Sequence, residues 1–266
     1  MLKIVYGEKM KKTITLVGLA LVFLGLTLSA QVYAQNATVA VASNFTKTIE
    51  SVNEAFVKHH PEHTIKFSFG PTGKLYAQIY NGAPFDAFFA ADEKRAQKTI
   101  ESKLAEAESY FVYAQGKIAL YSATYPVAQT PLQVLKDAKF NHLAIANPKT
   151  APYGERAQAF LKSKGLYNGV KSKMVNGESI AHAFQYVATG NAEIGFIAMS
   201  QIVDPDSPLY QKGEYWVVPQ VDYQPINQGA VITKRGKDNQ AIQDFMAFMK
   251  TPEAIKIIEG YGYGVN

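Results

Sequence analysis

The strongest constraint on the fold is how tightly strand-like and helix-like segments alternate. Val39-Ala40-Val41-Ala42 reads as a short buried strand that breaks at Ser43-Asn44 into helical periodicity at Phe45, Ile49, Val52 and Phe56. His60-Pro61 ends that pattern, and Thr64 to Phe69 alternates as a second strand. Gly70-Pro71-Thr72-Gly73 then turns into a helix carrying Leu75, Ile79 and Tyr80, which stops at Asn81 to Pro84 before the apolar strand Phe85 to Ala90. Strand, helix, strand, helix, strand with such short joins is the pattern of a parallel sheet with helices on its faces.

The plan recurs downstream without recurring residues. Asp92 opens a helix over Glu93 to Ser102, and Ser109 to Ser122 reads as one long strand able to leave one domain and enter another. A second series follows: a helix at Pro131 to Ala138, the strand His142 to Ala146, a turn to Gly154 and the helix Glu155 to Lys164. The strand at Lys173 to Val175, the helix Ile180 to Thr189 and the strand Glu193 to Ala198 complete it. Gly229 to Thr233 is a second candidate crossover, and Ile242, Phe245, Met246 and Met249 give the closing helix an apolar face. The expected organisation is an export leader over 1–34, a first lobe over 35–117, a second lobe over 118–226 and a return to the first lobe over 227–266.

The leader assignment rests on Lys9, Lys11 and Lys12 before the apolar run Ile14 to Leu28, with small and polar residues up to Ala34. That run is about 15 residues, short of the roughly 20 that a spanning helix needs. Met10 is a plausible alternative start, since Lys11 and Lys12 then form the charged beginning. Removing the leader takes away Lys3, Lys9, Lys11, Lys12 and Glu8, so the formal charge falls from +5 to +2. No dense Lys/Arg stripe remains, which argues against nucleic acid. The absence of cysteine excludes a disulfide scaffold, thiolate metal sites and cysteine nucleophiles.

Four turns share one design, small or polar residues after a strand and at a helix start: Ser43-Asn44, Thr72-Gly73, Pro152-Tyr153-Gly154 and Ser179-Ile180. Each offers unpaired backbone N–H groups at the positive end of a helix dipole, most with a side-chain donor beside them. One such turn is an ordinary cap. Four at the strand ends of a two-lobed α/β chain point to an oxyanion held in the crevice those ends enclose. Neutral donors read size and protonation state, because a protonated oxyanion also needs an acceptor.

Lys74 follows the second turn and could add charge, although a solvated surface lysine is the simpler expectation. Enzyme readings fare worse. His59, His60 and His63 suggest a metal cluster, but Pro61 interrupts the helix that would put His59 and His63 on one face, which predicts a solvated loop. His142 and His182 stand alone. Asp86 and Asp92 flank a strand in a spacing that suggests paired carboxylates, yet Asp92-Glu93 is placed as a helix cap. Neither a nucleophile elbow nor a phosphate loop is present in the sequence.

The order Val39 to Thr46 and the block Phe69 to Asp92, with Gln78-Ile79, Gly82-Ala83-Pro84, Asp86 and Ala91-Asp92, resemble the periplasmic molybdate-binding proteins of ABC importers. Ala146-Asn147-Pro148, Pro152-Tyr153-Gly154 and the stretch Gly190 to Phe196 share the likeness, which runs over about residues 37–262. The resemblance implies a two-lobed type II periplasmic binding protein, each lobe a mainly parallel sheet flanked by helices, with the ligand cleft between the lobes. It implies a periplasmic monomer that captures molybdate, and tungstate as well, and delivers it to ABC permease subunits without catalysing a reaction. It further implies oxyanion binding by Ser43, Asn44, Thr72, Tyr153 and the backbone amide of Ile180, with no cofactor and no metal beyond the oxyanion itself.

Two departures stand out. The second turn, often serine-rich in that family, here reads Pro71-Thr72-Gly73-Lys74. Ala198 stands where some members place a ligand-donating tyrosine, and Tyr153 is the candidate replacement. The alternatives are the same fold binding sulfate or phosphate, and a secreted hydrolase using Asp86 or Asp92 with a histidine.

Overall fold

The computed structural model describes residues 35–265, so the leader assigned to 1–34 lies outside the described residues. Two five-stranded sheets carry the fold. The first has β1 (Asn36–Ala42), β2 (Thr64–Gly70), β3 (Ala87–Phe89) and β4 (Phe111–Gly116); the second opens with β5 (Ile118–Ser122). β6 (Leu143–Ala146), β7 (Met174–Gly177), β8 (Ile194–Ala198) and β9 (Glu214–Val217) follow before β10 (Ile226–Ile232) rejoins the first. The orders are β2-β1-β3-β10-β4 and β7-β6-β8-β5-β9. β1 runs parallel to β2 and β3, and β6 parallel to β7 and β8. One strand in each sheet is reversed: β10 is antiparallel to both of its neighbours, and so is β5.

The two orders are the same plan used twice, and each reversed strand adjoins a passage between sheets. The segment expected as one strand over 109–122 is two, β4 and β5, separated at Lys117 and belonging to different sheets. The second passage precedes the predicted one, because Ile226 already pairs with Gly116 and Gly229 to Ile232 lie inside β10. β3 is also shorter than the predicted Phe85 to Ala90, since Asp86 turns its backbone N–H to Thr38 and its carboxylate to the Thr38 N–H.

Local sequence explains the elements that matter for the site. The helix Thr46–His59 buries Ile49, Val52 and Phe56, one face at helical spacing, against the first sheet. The helix Gln240–Phe248 closes the same face, with Phe245 edge-on to Phe56 at 5.2 Å. Asp92 caps the helix Glu93–Glu101 through Oδ1, which accepts the Arg95 N–H at 2.8 Å. Ser179 caps Ile180–Ala188, its hydroxyl accepting the His182 N–H at 3.3 Å.

Candidate oxyanion site

Every one of the four turns lies at the C-terminal end of a parallel strand, β1, β2, β6 or β7, and all four converge between the sheets. Ala42, Ser43, Asn44, Gly70, Pro71, Thr72, Ala91, Ala151, Pro152, Tyr153 and Ile180 enclose one small cavity. The cavity is too small for an organic substrate. Its walls carry no Asp, Glu, Lys or Arg, so any charge inside must be met by neutral donors.

The donors are held in place by their surroundings. Thr72 is 1% exposed, and its Oγ1 accepts the Ala91 N–H at 3.1 Å, which leaves the hydroxyl proton free to be given elsewhere. Ser43 is also buried and stands in the cavity wall. Tyr153 and Gly154 stand in the first turn of the helix Pro152–Ser163, and Ile180 opens the helix Ile180–Ala188, where backbone N–H groups have no intrahelical acceptor. Gly154 is required by contact: a Cβ there would stand 2.0 Å from the Ala146 carbonyl oxygen at the end of β6.

Asn44 and Tyr153 are in the cavity wall, but their side-chain polar atoms are committed elsewhere. The Asn44 amide donates to Gln228 Oε1 at 2.8 Å and to the Tyr263 hydroxyl at 3.1 Å. The Asn44 backbone carbonyl accepts from the Tyr263 hydroxyl at 2.7 Å and from the Ser200 hydroxyl at 3.1 Å. Gln228 Oε1 also accepts the Tyr113 hydroxyl at 3.0 Å. What this turn can offer an anion is therefore the Ser43 hydroxyl and backbone N–H groups. The Tyr153 hydroxyl lies over the Lys117 passage, where a Cβ on Gly116 would be 2.1 Å away and Gln228 Nε2 is 3.5 Å away. It is thus engaged with the passage between lobes. Burial pushes Tyr113 and Tyr153 well above the usual phenol range and Tyr263 up to about 12, so all three remain protonated donors near neutral pH.

The lobes also touch outside the cavity. The Gly73 N–H donates to the Thr150 carbonyl at 2.9 Å, and Arg95 Nη2 donates to the Lys149 carbonyl at 3.3 Å. Lys74, expected as a solvated lysine, pairs with Glu178 across the cleft at 2.7 Å and holds that carboxyl below its ordinary range. A group with a lowered pKa loses its contribution as pH falls through that value, so this latch is intact at neutral pH and released in acid.

The carboxylates of the hydrolase reading have other employment. Asp86 meets the Thr38 N–H at 2.7 Å and Arg235 Nε at 3.1 Å, and Asp92 is held by the backbone and guanidinium of Arg95. Neither is bonded to a histidine. Sequence reasoning missed Tyr113, Ser200, Gln228 and Tyr263 behind the first turn. The available signal was Gln228, a polar amide directly before the apolar stretch Gly229 to Ile232 that the fold buries completely.

A profile of the bacterial extracellular solute-binding proteins matches residues 37–264. The molybdate-binding protein ModA of Azotobacter vinelandii is 46% identical over 239 residues, covering 90% of this chain and 94% of the relative. ModA of Rhodobacter capsulatus is 42% identical, covering 92% and 93%. The solved periplasmic molybdate-binding protein of A. vinelandii superposes with a TM-score of 0.81 at 36% identity, covering 86% of this chain and 99% of that one. The sulfate-binding protein SubI of Mycobacterium tuberculosis shares the fold at 11% identity, with a TM-score of 0.72 and 86% of each chain covered.

Proposed function

Because the chain belongs to the bacterial extracellular solute-binding proteins, we propose that it captures molybdate, and tungstate with it, between its lobes and hands the ion to an ABC permease. The observation that carries this reading is a small cavity, lined by no charged side chain, on which four strand-end turns converge. Ser43, Thr72 and the backbone N–H groups of Asn44, Tyr153 and Ile180 are the proposed donors. Each hydrogen bond to a charged group contributes roughly 1.5–3 kcal/mol. A handful is enough for micromolar or tighter binding after association costs.

The donor set favours a fully deprotonated dianion. Phosphate near neutral pH keeps a proton that needs an acceptor, and the walls hold no carboxylate to provide one. Sulfate is deprotonated and smaller, and here the 46% and 42% identical relatives, both molybdate-binding proteins, favour molybdate. Binding drives closure because the ion touches both lobes at once, Ser43 and Thr72 from the first, Tyr153 and Ile180 from the second. The leader over 1–34 would deliver the chain to the periplasm, where it works as a monomer by binding and release.

Thermal unfolding against molybdate, tungstate, sulfate and phosphate tests this reading. Ligand at a hundred times its Kd adds about 2.7 kcal/mol of stability. Molybdate and tungstate are expected to give the largest rise in Tm; a rise with sulfate alone would redirect the assignment. Ser43→Ala is expected to weaken molybdate binding about tenfold, the value of one such hydrogen bond, while leaving the ligand-free Tm unchanged. An unchanged Kd would remove Ser43 from the donor set.

A further inference from the structure

On the outer face of the first lobe, away from the cavity, the chain brings two neighbouring histidines together with a carboxylate 181 residues further on. His60 and His63 lie in the turn that ends the helix Thr46–His59, and Asp244 lies on the helix Gln240–Phe248. One ring nitrogen of each histidine and one carboxylate oxygen of Asp244 all fall within 4.8 Å of one another. His63 Nε2 is 3.0 Å from Asp244 Oδ2, and His60 Nδ1 is 4.0 Å from the same oxygen. Glu62 stands beside both rings, with Oε1 3.4 Å from His60 Nδ1 and 3.6 Å from His63 Nε2.

We propose that His60 Nδ1, His63 Nε2 and Asp244 Oδ2 form a binding site for a divalent transition-metal cation, zinc foremost, with Glu62 completing its charge. A tetrahedral ion with bonds of about 2.0–2.1 Å needs ligand atoms about 3.3 Å apart, so His63 and Asp244 already stand near that spacing, and the partly exposed His60 ring must move inward by about an ångström to join them. Two neutral imidazoles with two carboxylates carry the charge of −2 that such a cation cancels. Imidazole and carboxylate together suit zinc, copper and nickel better than calcium or magnesium.

The ligands are positioned in advance. The His63 side chain is 2% exposed, and the turn is closed by the His60 N–H to Phe56 and the His63 N–H to His60. The other Asp244 oxygen accepts from Gln240 Nε2 at 2.8 Å, which aims Oδ2 at the histidines. The His60 and Glu62 side chains are 32% and 25% exposed, leaving an entry path and space for a water as a further ligand. Bound metal would tie the first helix of the lobe to the segment that returns to it late in the chain.

The proposal is independent of the oxyanion reading and is tested with metal alone. Untagged protein lacking residues 1–34 is titrated with zinc against a chromophoric chelator, and with cobalt followed by visible absorption. One equivalent of zinc and a tetrahedral cobalt spectrum are expected. His60→Ala and Asp244→Asn should each weaken zinc binding by at least about tenfold, while His59→Ala, which removes the neighbouring pair with Glu253, should leave it unchanged. Absence of zinc binding by the unsubstituted protein, or zinc affinity in either ligand variant as tight as in the unsubstituted protein, would overturn the site. Both substituted groups are partly exposed, and an unchanged far-UV circular dichroism spectrum with a cooperative thermal transition would confirm that the variants are folded.

Discussion

Gly154→Ala is expected to lower molybdate affinity at least about a hundredfold, a loss of roughly 2.7 kcal/mol, and to depress the Tm as well. The added Cβ would sit 2.0 Å from the Ala146 carbonyl oxygen and 2.6 Å from its carbon. Backbone, unlike a side-chain tip, cannot swing aside, so the start of the helix Pro152–Ser163 must move away from β6. That displacement carries off the Tyr153 N–H together with the Pro152 wall of the cavity. Gly169→Ala is the matched control, because a Cβ there meets nothing within 4 Å. Calorimetry on both variants reads the result, and equal affinities would mean that the third turn contributes no donor.

The largest expected stability effect belongs to Phe45, which follows Ser43-Asn44 and is fully buried. Its ring lies edge-on to Tyr113 at 4.7 Å and to Tyr263 at 5.2 Å. Truncation to alanine is expected to cost about 3–5 kcal/mol, the transfer energy of the ring plus the cavity it leaves. Denaturant unfolding should show a lower midpoint with an unchanged slope. Those tyrosines bond Gln228 and Asn44, so molybdate binding should weaken too. A loss under 1 kcal/mol would show that the first turn is held by its hydrogen bonds rather than by this packing.

What could be read in advance followed from local rules. The alternation of strand and helix is dictated by apolar periodicity and turn residues within short windows, and it led to the right fold class and to four turns that do converge. The long β-rich stretch with Gly116 in its middle pointed to a passage between lobes, but nothing local in it shows that it is two strands in different sheets rather than one. The directions of the Asn44 and Tyr153 side chains were not legible either. They are set by Gln228 and Tyr263, residues 184 and 219 positions from Asn44, and no local pattern encodes such partners.

The histidines teach the same lesson from the opposite side. Pro61 does end the helix, so the argument that His59 and His63 cannot share a helical face was sound. The conclusion that the segment is a solvated loop was not, because His63 is buried and meets Asp244 from 181 residues away. Convergence across the fold replaced spacing along one helix.

The account stands on one claim, that the four turns form a shell selecting a large, fully deprotonated tetrahedral dianion. Calorimetric titration of the ligand-free protein lacking residues 1–34 with molybdate, followed by sulfate and phosphate under identical buffer and salt, tests it most directly. The account predicts saturable one-to-one molybdate binding in the micromolar range or tighter, with sulfate and phosphate at least about a hundredfold weaker, a gap of roughly 2.7 kcal/mol. No heat with molybdate, or tighter binding of sulfate, would contradict it.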